Sequence, residues 1–244
     1  MREKLKQFIE EQGYTLSDEV TTLVEQLVDT LEAPETDVTE IVQLIQRKSA
    51  EYTGKAEEIG IKDLQKWYVD PVTGNIHHDS GKFFSIIGVR IHAAVGREVV
   101  SWTQPMIKQN ECGILGILCQ KKNGVRHYLL YAKYEPGNMP KIQLSPTLQA
   151  TASNLKQVHG GKKPLFAEYF EDGGKGKILT SVEGVEDGGR FYLKTNRSMV
   201  IEVDENEQIN APDDYIWLTF PQLKKLLKID GLANSLTRTV IGSL

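Results

Sequence analysis

The chain contains 244 residues, of which 40% are hydrophobic and 25% are charged, and its formal net charge is −4 at pH 7. These values are typical of a globular protein with one large domain or two smaller ones. They argue against a nucleic-acid-binding protein, which usually has a basic surface. No segment approaches the roughly 18 apolar residues of a membrane span, and the N-terminus MREKLKQFIEEQG lacks an apolar signal core. We therefore expect a cytoplasmic protein that binds neither nucleic acid nor membrane.

Residues 1–66 are predicted to form a helical segment. A first helix ends at Gly13, a second is capped by Ser17, and a third is capped at Thr36-Asp37. The second helix has an apolar stripe with the spacing of a buried face, formed by Val20, Leu23, Val24, Leu27, Val28 and Leu31. We expect this segment either to pack on the rest of the chain or to form a dimer interface.

From residue 70 onward the chain is predicted to form mainly strands and turns. Two apolar runs flank KKNGV, whose Asn-Gly pair favours a tight hairpin turn. A second hairpin is predicted with its turn near Thr195-Asn196. Two helices are predicted in addition, one over 147–159 after Ser145-Pro146 and one beginning after Thr219 and ending at Gly231. Strands with interspersed helices indicate an α+β fold.

The cysteine and histidine pattern contains no ligand spacing for a metal. Cys112 and Cys119 lie in the apolar run ECGILGILCQ and are predicted to be buried core residues. His77-His78 lies in a turn region and is predicted to be exposed. The segment GGKGK, 173–177, lacks the spacing of a phosphate-binding loop and is predicted to be a surface turn. Because no Gly-x-Gly-x-x-Gly follows a strand, no dinucleotide cofactor is expected either.

The segment GREVVSWTQP, 96–105, concentrates unusual residue types for a strand. If it is extended, the side chains of Glu98, Trp102 and Gln104 share one face. A carboxylate, an aromatic ring and an amide are the groups that hold a flat nucleobase and its polar edge. The alternative is an edge strand with an Arg97–Glu98 surface pair, which would contribute little to stability.

A second cluster is YAKYEPGN, 131–138, in which alternation places Tyr131, Lys133 and Glu135 on one face beside a turn. These groups can supply an acid, a base and a phosphate contact, and the alternative is a solvated strand face.

A third cluster is EDGGRFYLKTNR, 186–197, in which two acids precede a Gly-Gly pair that lets the backbone approach a ligand. Arg190 and Arg197 could clamp a diphosphate, and the alternative is a charged hairpin.

Five segments in this order resemble the NDP-hexose 2,3-dehydratase family from about Trp67 to the C-terminus: GREVVSWTQP, YLLYAKYEPGN, QLSPTLQAT, EDGGRFYLKTNR and YIWLTFPQLKKLL with ANSLTRTVI. The resemblance implies an α+β fold of the Nudix-hydrolase type, a mixed sheet with flanking helices. It also implies a nucleotide-diphosphate-sugar substrate, such as dTDP-4-keto-6-deoxyglucose, which loses water across C2–C3 in deoxysugar biosynthesis. Neither an organic cofactor nor a metal is implied, and the Glu-rich helix signature of metal-dependent hydrolases of that fold is missing here.

On this reading, Glu135 is the base that removes the C3 proton, and Lys133 stabilises the enolate or the departing hydroxyl. Tyr131 is a second candidate acid, and Glu186 is the next candidate base. The predicted substrate-binding residues are Arg97, Glu98, Trp102, Gln104, Asn138, Gln149, Asp187, Arg190, Tyr192, Asn196 and Arg197. Within that set, the two arginines 190 and 197 are expected to hold the diphosphate, and Trp102 is expected to stack on the base or sugar.

Two departures from the family pattern shape these expectations. Family members carry two related copies of such a domain, whereas this chain has one, 67–244, after the helical segment 1–66. A homodimer is therefore expected, and its alternative is a monomer whose helices fold back on their own domain. This chain also has Val185-Glu186-Asp187-Gly188-Gly189 where the family reads Ser-Glu-Glu-Gly-Gly. A non-catalytic nucleotide-sugar-binding module and a dehydratase for another sugar stay open as alternative functions.

Overall fold

The computed structural model describes residues 1–33, 36–92, 95–96, 98–155 and 162–244. All three helices predicted for the N-terminal segment are confirmed: α1 (Arg2–Glu11), α2 (Asp18–Glu32) and α3 (Thr39–Glu51). Ser17 caps α2, since its hydroxyl accepts a hydrogen bond from the backbone N–H of Val20 at 3.2 Å. A short 3₁₀ helix follows at Ile61–Asp63. Within the described residues, no helix is long and apolar enough to cross a bilayer.

The remaining elements in the described part of the chain form two sheets with four further helices. The strands are β1 (Trp67–Val69), β2 (Ile76–His78), β3 (Ser85–Ile91), β4 (Trp102–Lys108), β5 (Gly113–Lys122), β6 (Val125–Tyr134), β7 (Ile142–Ser145), β8 (Leu148–Thr151), β9 (Lys177–Val185), β10 (Phe191–Tyr192), β11 (Thr195–Val203) and β12 (Tyr215–Thr219). The helices are α4 (Ala152–Leu155), α5 (Ala167–Phe170), α6 (Phe220–Leu226) and α7 (Ser235–Ile241). The α+β class, with a mixed sheet and flanking helices, is thereby confirmed.

The smaller sheet has the order β1-β2-β3-β4-β10, and the larger has the order β12-β6-β5-β11-β9. Strand β10 is parallel to β4 and β11 is parallel to β5, while the other pairs are antiparallel. One edge of strand β5 is divided between two partners, because Gly113–Gly116 pairs with β8 and Leu118–Lys122 pairs with β6, while β11 lies along the other edge. Strand β7 in turn pairs with the end of β6. This forked arrangement brings the ends of β5, β6, β8 and β11 to one region of the molecule.

The predicted β5–β6 hairpin is confirmed, with Asn123 (φ 52°) and Gly124 (φ 76°) at its turn. Positive φ at both central residues is the requirement of a type I′ turn, which Asn-Gly meets at low cost. Successive residues of β5 enter different cores: Ile117 packs with α3, α6 and α7 residues, whereas Leu118 packs with Phe166 and Phe170.

The apolar stripe predicted for α2 is buried only in part. Val24 and Val28 are buried, but Leu23, Leu27 and Leu31 are 48%, 51% and 55% exposed. The reason is that a polar face of α2 is buried instead. It carries Glu25, Gln26 and Asp29. Glu25 forms ion pairs with Lys121 and Arg126. Gln26 donates a hydrogen bond to the Tyr128 hydroxyl, and Asp29 forms an ion pair with Arg2.

Two predicted elements are wrong. The second hairpin does not form, because β10 pairs with β4 whereas β11 lies between β5 and β9. The helix predicted over 147–159 begins as strand β8, and only Ala152–Leu155 is helical before residues 156–161, which lie outside the described residues. Pairing of β8 with β5 outweighs local helix propensity there.

Three smaller predictions meet mixed outcomes. Cys119 is buried as expected, but Cys112 is exposed because it precedes β5 rather than lying in it. The prediction that His77-His78 is exposed in a turn is wrong, since both residues are half-buried in β2. Helix α6 begins after Thr219 as expected, and Thr219 and Gln222 form a capping box there, but the helix ends at Leu226, before Gly231.

Candidate active site

A cavity of about 280 Å³ lies where the ends of β5, β6, β8 and β11 meet. Its polar lining includes Lys133 from β6, Gln149 from β8, Asn196 from β11, and Glu186 and Lys194 from the segments flanking β10. Four of these five residues were predicted as site residues, from three separate sequence segments. The fork of β5 explains the convergence, because β8 and β11 flank the same end of β5.

Lys133, Glu135 and Gln149 form a closed hydrogen-bonded triad beside this cavity. The ammonium of Lys133 donates to Glu135 Oε1 at 3.1 Å and to Gln149 Oε1 at 2.9 Å. Gln149 Nε2 donates to the same Glu135 oxygen at 3.1 Å. The common face predicted for Lys133 and Glu135 is therefore confirmed. The lysine is fixed in one direction, as a general acid or an oxyanion donor must be.

Glu186 occupies a junction between two cavities. Its Oε2 accepts a hydrogen bond from Asn196 Nδ2 at 2.9 Å, and its backbone N–H donates to Lys194 O at 3.0 Å. It lines the first cavity and also a second one of about 360 Å³, which Phe191 and Asn196 share as well. A carboxylate with one oxygen engaged and a cavity on two sides is suited to proton transfer.

The second cavity is lined in addition by Asp187 and Arg190. The Arg190 Nε lies 2.7 Å from Asp187 Oδ2, and the guanidinium is mostly exposed. Arg197 does not join Arg190 there, because strand alternation places it on the opposite face of β11 from Asn196 and Ser198. Its guanidinium pairs with Glu183 at 3.2 Å instead. The predicted two-arginine clamp is therefore not formed in the structure.

Residues of the first sequence cluster brace the turn that follows Glu186. Trp102 Nε1 donates to Gln104 Oε1 at 2.8 Å, so these two side chains share a face as predicted. Gln104 Nε2 then donates to Gly189 O at 2.7 Å. Glu98 precedes β4 and is exposed, so the extended run predicted to include it begins only at Trp102. Arg97 lies outside the described residues.

Three further predicted residues lie around these groups. Tyr131 stacks on Tyr215 with ring centroids 4.6 Å apart, and it lines another cavity together with Lys133 and Gln149. Burial, and secondarily the Asp214 carboxylate, raise the pKa of Tyr131. Tyr192 pairs in β10 with Lys108 of β4. Asn138 closes the turn after Glu135, and its Nδ2 is buried without a hydrogen-bond partner among the described residues.

Lys194 is a lining residue that the sequence reasoning missed. Its side chain is 2% exposed, and its ammonium donates to the backbone carbonyl of Glu111. The carboxylate of Glu111 accepts from the backbone N–H of Ser153 at 2.9 Å. Burial raises the pKa of Glu111, but its hydrogen bonds to Ser153 and Thr151 and the charge of Lys194 together hold it below the ordinary value. Because a lysine bonded to a backbone carbonyl has no local sequence signature, only the structure identifies it.

Comparison with curated proteins identifies close relatives. Three dTDP-4-dehydro-6-deoxy-alpha-D-glucopyranose 2,3-dehydratases match this chain. The protein from Saccharopolyspora spinosa is 45% identical over 178 residues, which cover 73% of this chain and 36% of the relative. The proteins from Amycolatopsis orientalis and Streptomyces violaceoruber are each 40% identical, covering 77% and 75% of this chain and 40% and 41% of the relatives. This chain thus spans less than half the length of these relatives.

Solved structures with similarity to the chain include an ADP compounds hydrolase and the Ap4A hydrolase of C. elegans. The first is 12% identical with a TM-score of 0.43, covering 65% of this chain and 83% of that chain. The second is also 12% identical, with a TM-score of 0.34, covering 55% of this chain and 98% of that chain.

A profile of the NDP-hexose 2,3-dehydratase family matches residues 38–244. The match begins before Trp67, where the sequence resemblance was expected to start, and it therefore includes α3. Val38 and Ile45 at that helix are buried in the core formed with β5 and β6. The division of the chain at residue 66 stays a prediction. Since the match covers most of the chain, the protein belongs to the NDP-hexose 2,3-dehydratase family.

Proposed function

We propose that the chain removes water across C2–C3 of an NDP-4-keto-6-deoxyhexose, with dTDP-4-keto-6-deoxyglucose as the substrate. The observation that carries this proposal is the cavity in which Lys133, held by Glu135 and Gln149, and Glu186, held by Asn196, line the same space. Family membership and the activity for which the relatives are named support the choice of reaction.

The chemistry follows from the ketone at C4. That ketone acidifies the C3 hydrogen, so a base removes this proton first and the charge develops on the C4 oxygen. The C2–O bond then breaks as an acid protonates the departing hydroxyl, which leaves as water. The resulting enol takes up a proton at C2 and becomes a 3,4-diketo-2,6-dideoxy sugar. A base, an oxyanion donor and an acid are needed, and no cofactor enters this scheme.

We assign the acid and oxyanion-donor role to Lys133, since its ammonium is oriented and reaches the cavity. Of the two candidate bases, Glu186 lines the cavity, whereas Glu135 Oε1 already accepts from both Lys133 and Gln149. This geometry favours Glu186 as the base and Glu135 as the group that positions Lys133. It reverses the order expected from the sequence. Tyr131 is kept as a second candidate acid.

The remaining polar residues are proposed to bind substrate. Asn196 and Gln149 orient sugar hydroxyls from within the cavity, and Arg190 with Asp187 contacts the substrate from the adjoining cavity. Trp102 and Gln104 hold the turn at Gly189 that positions these two residues.

Glu135→Gln and Glu186→Gln variants separate the two carboxylates. Both are isosteric and keep hydrogen-bonding capacity, so they remove the charge while conserving shape. We expect Glu186→Gln to lower kcat by about 10²–10⁴-fold. We expect Glu135→Gln to retain part of the activity but to shift its pH profile. A fully active Glu186→Gln chain together with an inactive Glu135→Gln chain would restore Glu135 as the base.

A nucleotide-sugar-binding module without catalysis is the alternative from another functional class. Incubating the chain with dTDP-4-keto-6-deoxyglucose separates the two, because vicinal diketones are trapped by o-phenylenediamine and weighed by mass spectrometry. A trapped product supports the dehydratase, and binding with recovery of intact substrate supports the module. A panel of other 4-keto nucleotide sugars tests the choice of substrate.

We also propose that the chain forms a homodimer. The support is the row Leu23, Leu27 and Leu31, one turn apart on α2 and half-exposed. Self-association in a two-fold dimer needs only one such self-complementary patch.

A further inference from the structure

A third cavity, of about 410 Å³, lies between the β2–β3 connection and the end of β4. Its lining combines aromatic rings with basic side chains, notably Phe83, Phe84, Lys82 and Lys108. None of these residues takes part in the scheme proposed for the sugar.

The aromatic part is a fixed and partly exposed cluster. Phe83 and Phe84 are 46% and 36% exposed, although both rings also contact other aromatic residues. The ring of Phe84 lies 5.0 Å from that of Trp67, and the ring of Phe83 lies 4.4 Å from that of His78. Rings held by neighbours while exposing area to a cavity are suited to stacking on a flat ligand, because little side-chain entropy is lost on binding.

The basic part supplies positive charge beside these rings. Lys108 is at the end of β4, held between Ser85 of β3 and Tyr192 of β10. Its ammonium has no hydrogen-bond or ion-pair partner in the described part of the chain, whereas its position in two ladders fixes its backbone. Among the described residues of the lining, Glu111 supplies the one carboxylate, and it accepts a hydrogen bond from the segment after β8. The positive charge of this lining is suited to a negatively charged group.

This cavity is next to the candidate active site. Gln109 lines both the third cavity and the cavity of Lys133 and Glu186. Glu111 connects them as well, because its carbonyl accepts the hydrogen bond of Lys194, which lines the active-site cavity. A ligand with a sugar in one cavity could extend past Gln109 into the other.

We propose that the third cavity binds the nucleoside diphosphate of the substrate, with the base on Phe83 and Phe84 and the diphosphate at Lys108. This inference rests on the proposed function for the choice of ligand. The competing sites are less suited to the base. The side chains of Trp102 and Gln104 are joined by a hydrogen bond, and Gln104 donates a second one to the carbonyl of Gly189. The rings of Tyr131 and Tyr215 stack on one another, and the nearby Lys133 ammonium already donates to Glu135.

Binding of dTDP alone, measured by isothermal titration calorimetry on the full chain, tests the proposal. We expect Phe84→Leu and Lys108→Gln each to weaken binding about tenfold, since one removes a stacking ring and the other a phosphate contact. Phe83→Leu and Lys108→Glu serve as second variants, and thermal unfolding checks that each chain is folded. Matched controls are Phe8→Leu, on exposed helix α1, and Lys175→Gln, in the exposed turn before β9. Both controls should bind as the wild type does.

The outcomes separate this inference from the proposed reaction. If the wild type dehydrates the sugar but Phe84→Leu and Lys108→Gln bind dTDP normally, the nucleotide lies elsewhere and the inference is overturned while the function stands. If those variants weaken dTDP binding but the wild type releases no water from the substrate, the nucleotide site stands and the proposed reaction fails. A wild-type chain that binds no dTDP also overturns the inference.

Discussion

At the scale of single residues, the proposed chemistry depends on how Lys133 is held. The Lys133 ammonium lies 3.1 Å from a Glu135 oxygen and 2.9 Å from the Gln149 carbonyl oxygen, while its side chain is only partly exposed. A long, flexible side chain becomes a directed proton donor only when its neighbours limit its rotamers. The triad is therefore expected to matter because it orients the Lys133 ammonium as well as because it places a positive charge there.

Replacing Lys133 by Met keeps the apolar stem and removes the ammonium. We expect kcat to fall by about 10²–10⁴-fold, because the departing hydroxyl loses its proton donor. Binding of dTDP should be unchanged, since the lysine faces the sugar rather than the nucleotide in this account. Steady-state kinetics and calorimetry measure the two quantities. Lys175→Met, in an exposed turn, is the control, and a Lys133→Met chain with normal turnover would exclude the assignment.

The predictability of the site from the sequence also differs from residue to residue. Lys133 and Glu135 could be placed on one face because strand alternation is a local rule. Arg197 could not be paired with Arg190 or separated from it without knowing which face of β11 lines the cavity. No sequence pattern marked Lys194 as a residue of the site, because its hydrogen-bond partner is the backbone carbonyl of Glu111, 83 positions away.

At the scale of secondary-structure elements, local chemistry determined some boundaries and distant pairing determined others. The turn at Asn123-Gly124 and the caps at Ser17 and Thr219 follow from residues within a few positions, and all were predictable. Strand β8 was not, because its conformation depends on pairing with the first half of β5. The exposure of the leucine row on α2 was not predictable for the same reason. The ion pairs that orient this helix on the sheet involve Lys121 and Arg126, which lie far along the chain.

Thr147 joins the two branches of the forked strands. Its hydroxyl accepts from the backbone N–H of Leu118 at 2.9 Å and donates to the carbonyl of Leu129, at the point where β5 and β6 separate. Thr147→Val leaves these buried groups without that partner, so we expect the free energy of unfolding to fall by about 1–3 kcal/mol. Thr147→Ser keeps the hydroxyl, so its free energy of unfolding should fall by less than that of Thr147→Val. Urea unfolding measures both, and equal losses would show that the hydrogen bonds are not the cause.

Glu25 attaches helix α2 to the larger sheet through Lys121 and Arg126, each at 2.9 Å. Burial raises the pKa of Glu25, but the hydrogen bond from Lys121 and the nearby positive charges outweigh it and hold the pKa below 4.5. A lowered folded-state pKa contributes stability that is present above the unfolded value and is lost as pH falls through the folded value.

Glu25→Gln should therefore destabilise the chain by about 2 kcal/mol at neutral pH. The difference from the wild type should shrink as the pH falls from the ordinary pKa of a glutamate through the lowered pKa of Glu25, because the wild-type carboxylate becomes protonated over that range. Urea unfolding over this pH range measures the difference. If the difference in free energy of unfolding stays constant down to acidic pH, Glu25 stabilises the fold through its packing rather than through its charge.

At the scale of the whole molecule, the chain spans less than half the length of the relatives that it matches. Helices α2 and α3 fold back on the sheet, with Val24, Val28 and Ile45 buried. The other side of α2 still presents its leucine row. Packing on the chain's own domain and association of two chains are therefore compatible in this fold.

Light scattering at micromolar concentration tests the dimer. We expect twice the 27.4 kDa mass of one chain. Leu27→Lys should yield the single-chain mass, because it places a charge in the centre of the apolar row. Val72→Lys, at an exposed turn, is the control and should stay dimeric. A wild-type mass near that of one chain would exclude self-association.

Elimination across C2–C3 is tested with dTDP-4-keto-6-deoxyglucose labelled with deuterium at C3. We expect the wild-type chain to release water, the deuterium to pass to the solvent so that the trapped diketone contains none, and the labelled substrate to react more slowly than the unlabelled one when proton removal limits the rate. Recovery of intact labelled sugar from a chain that binds it, or a trapped diketone that carries all of the deuterium at C2, would contradict removal of the C3 proton by a base.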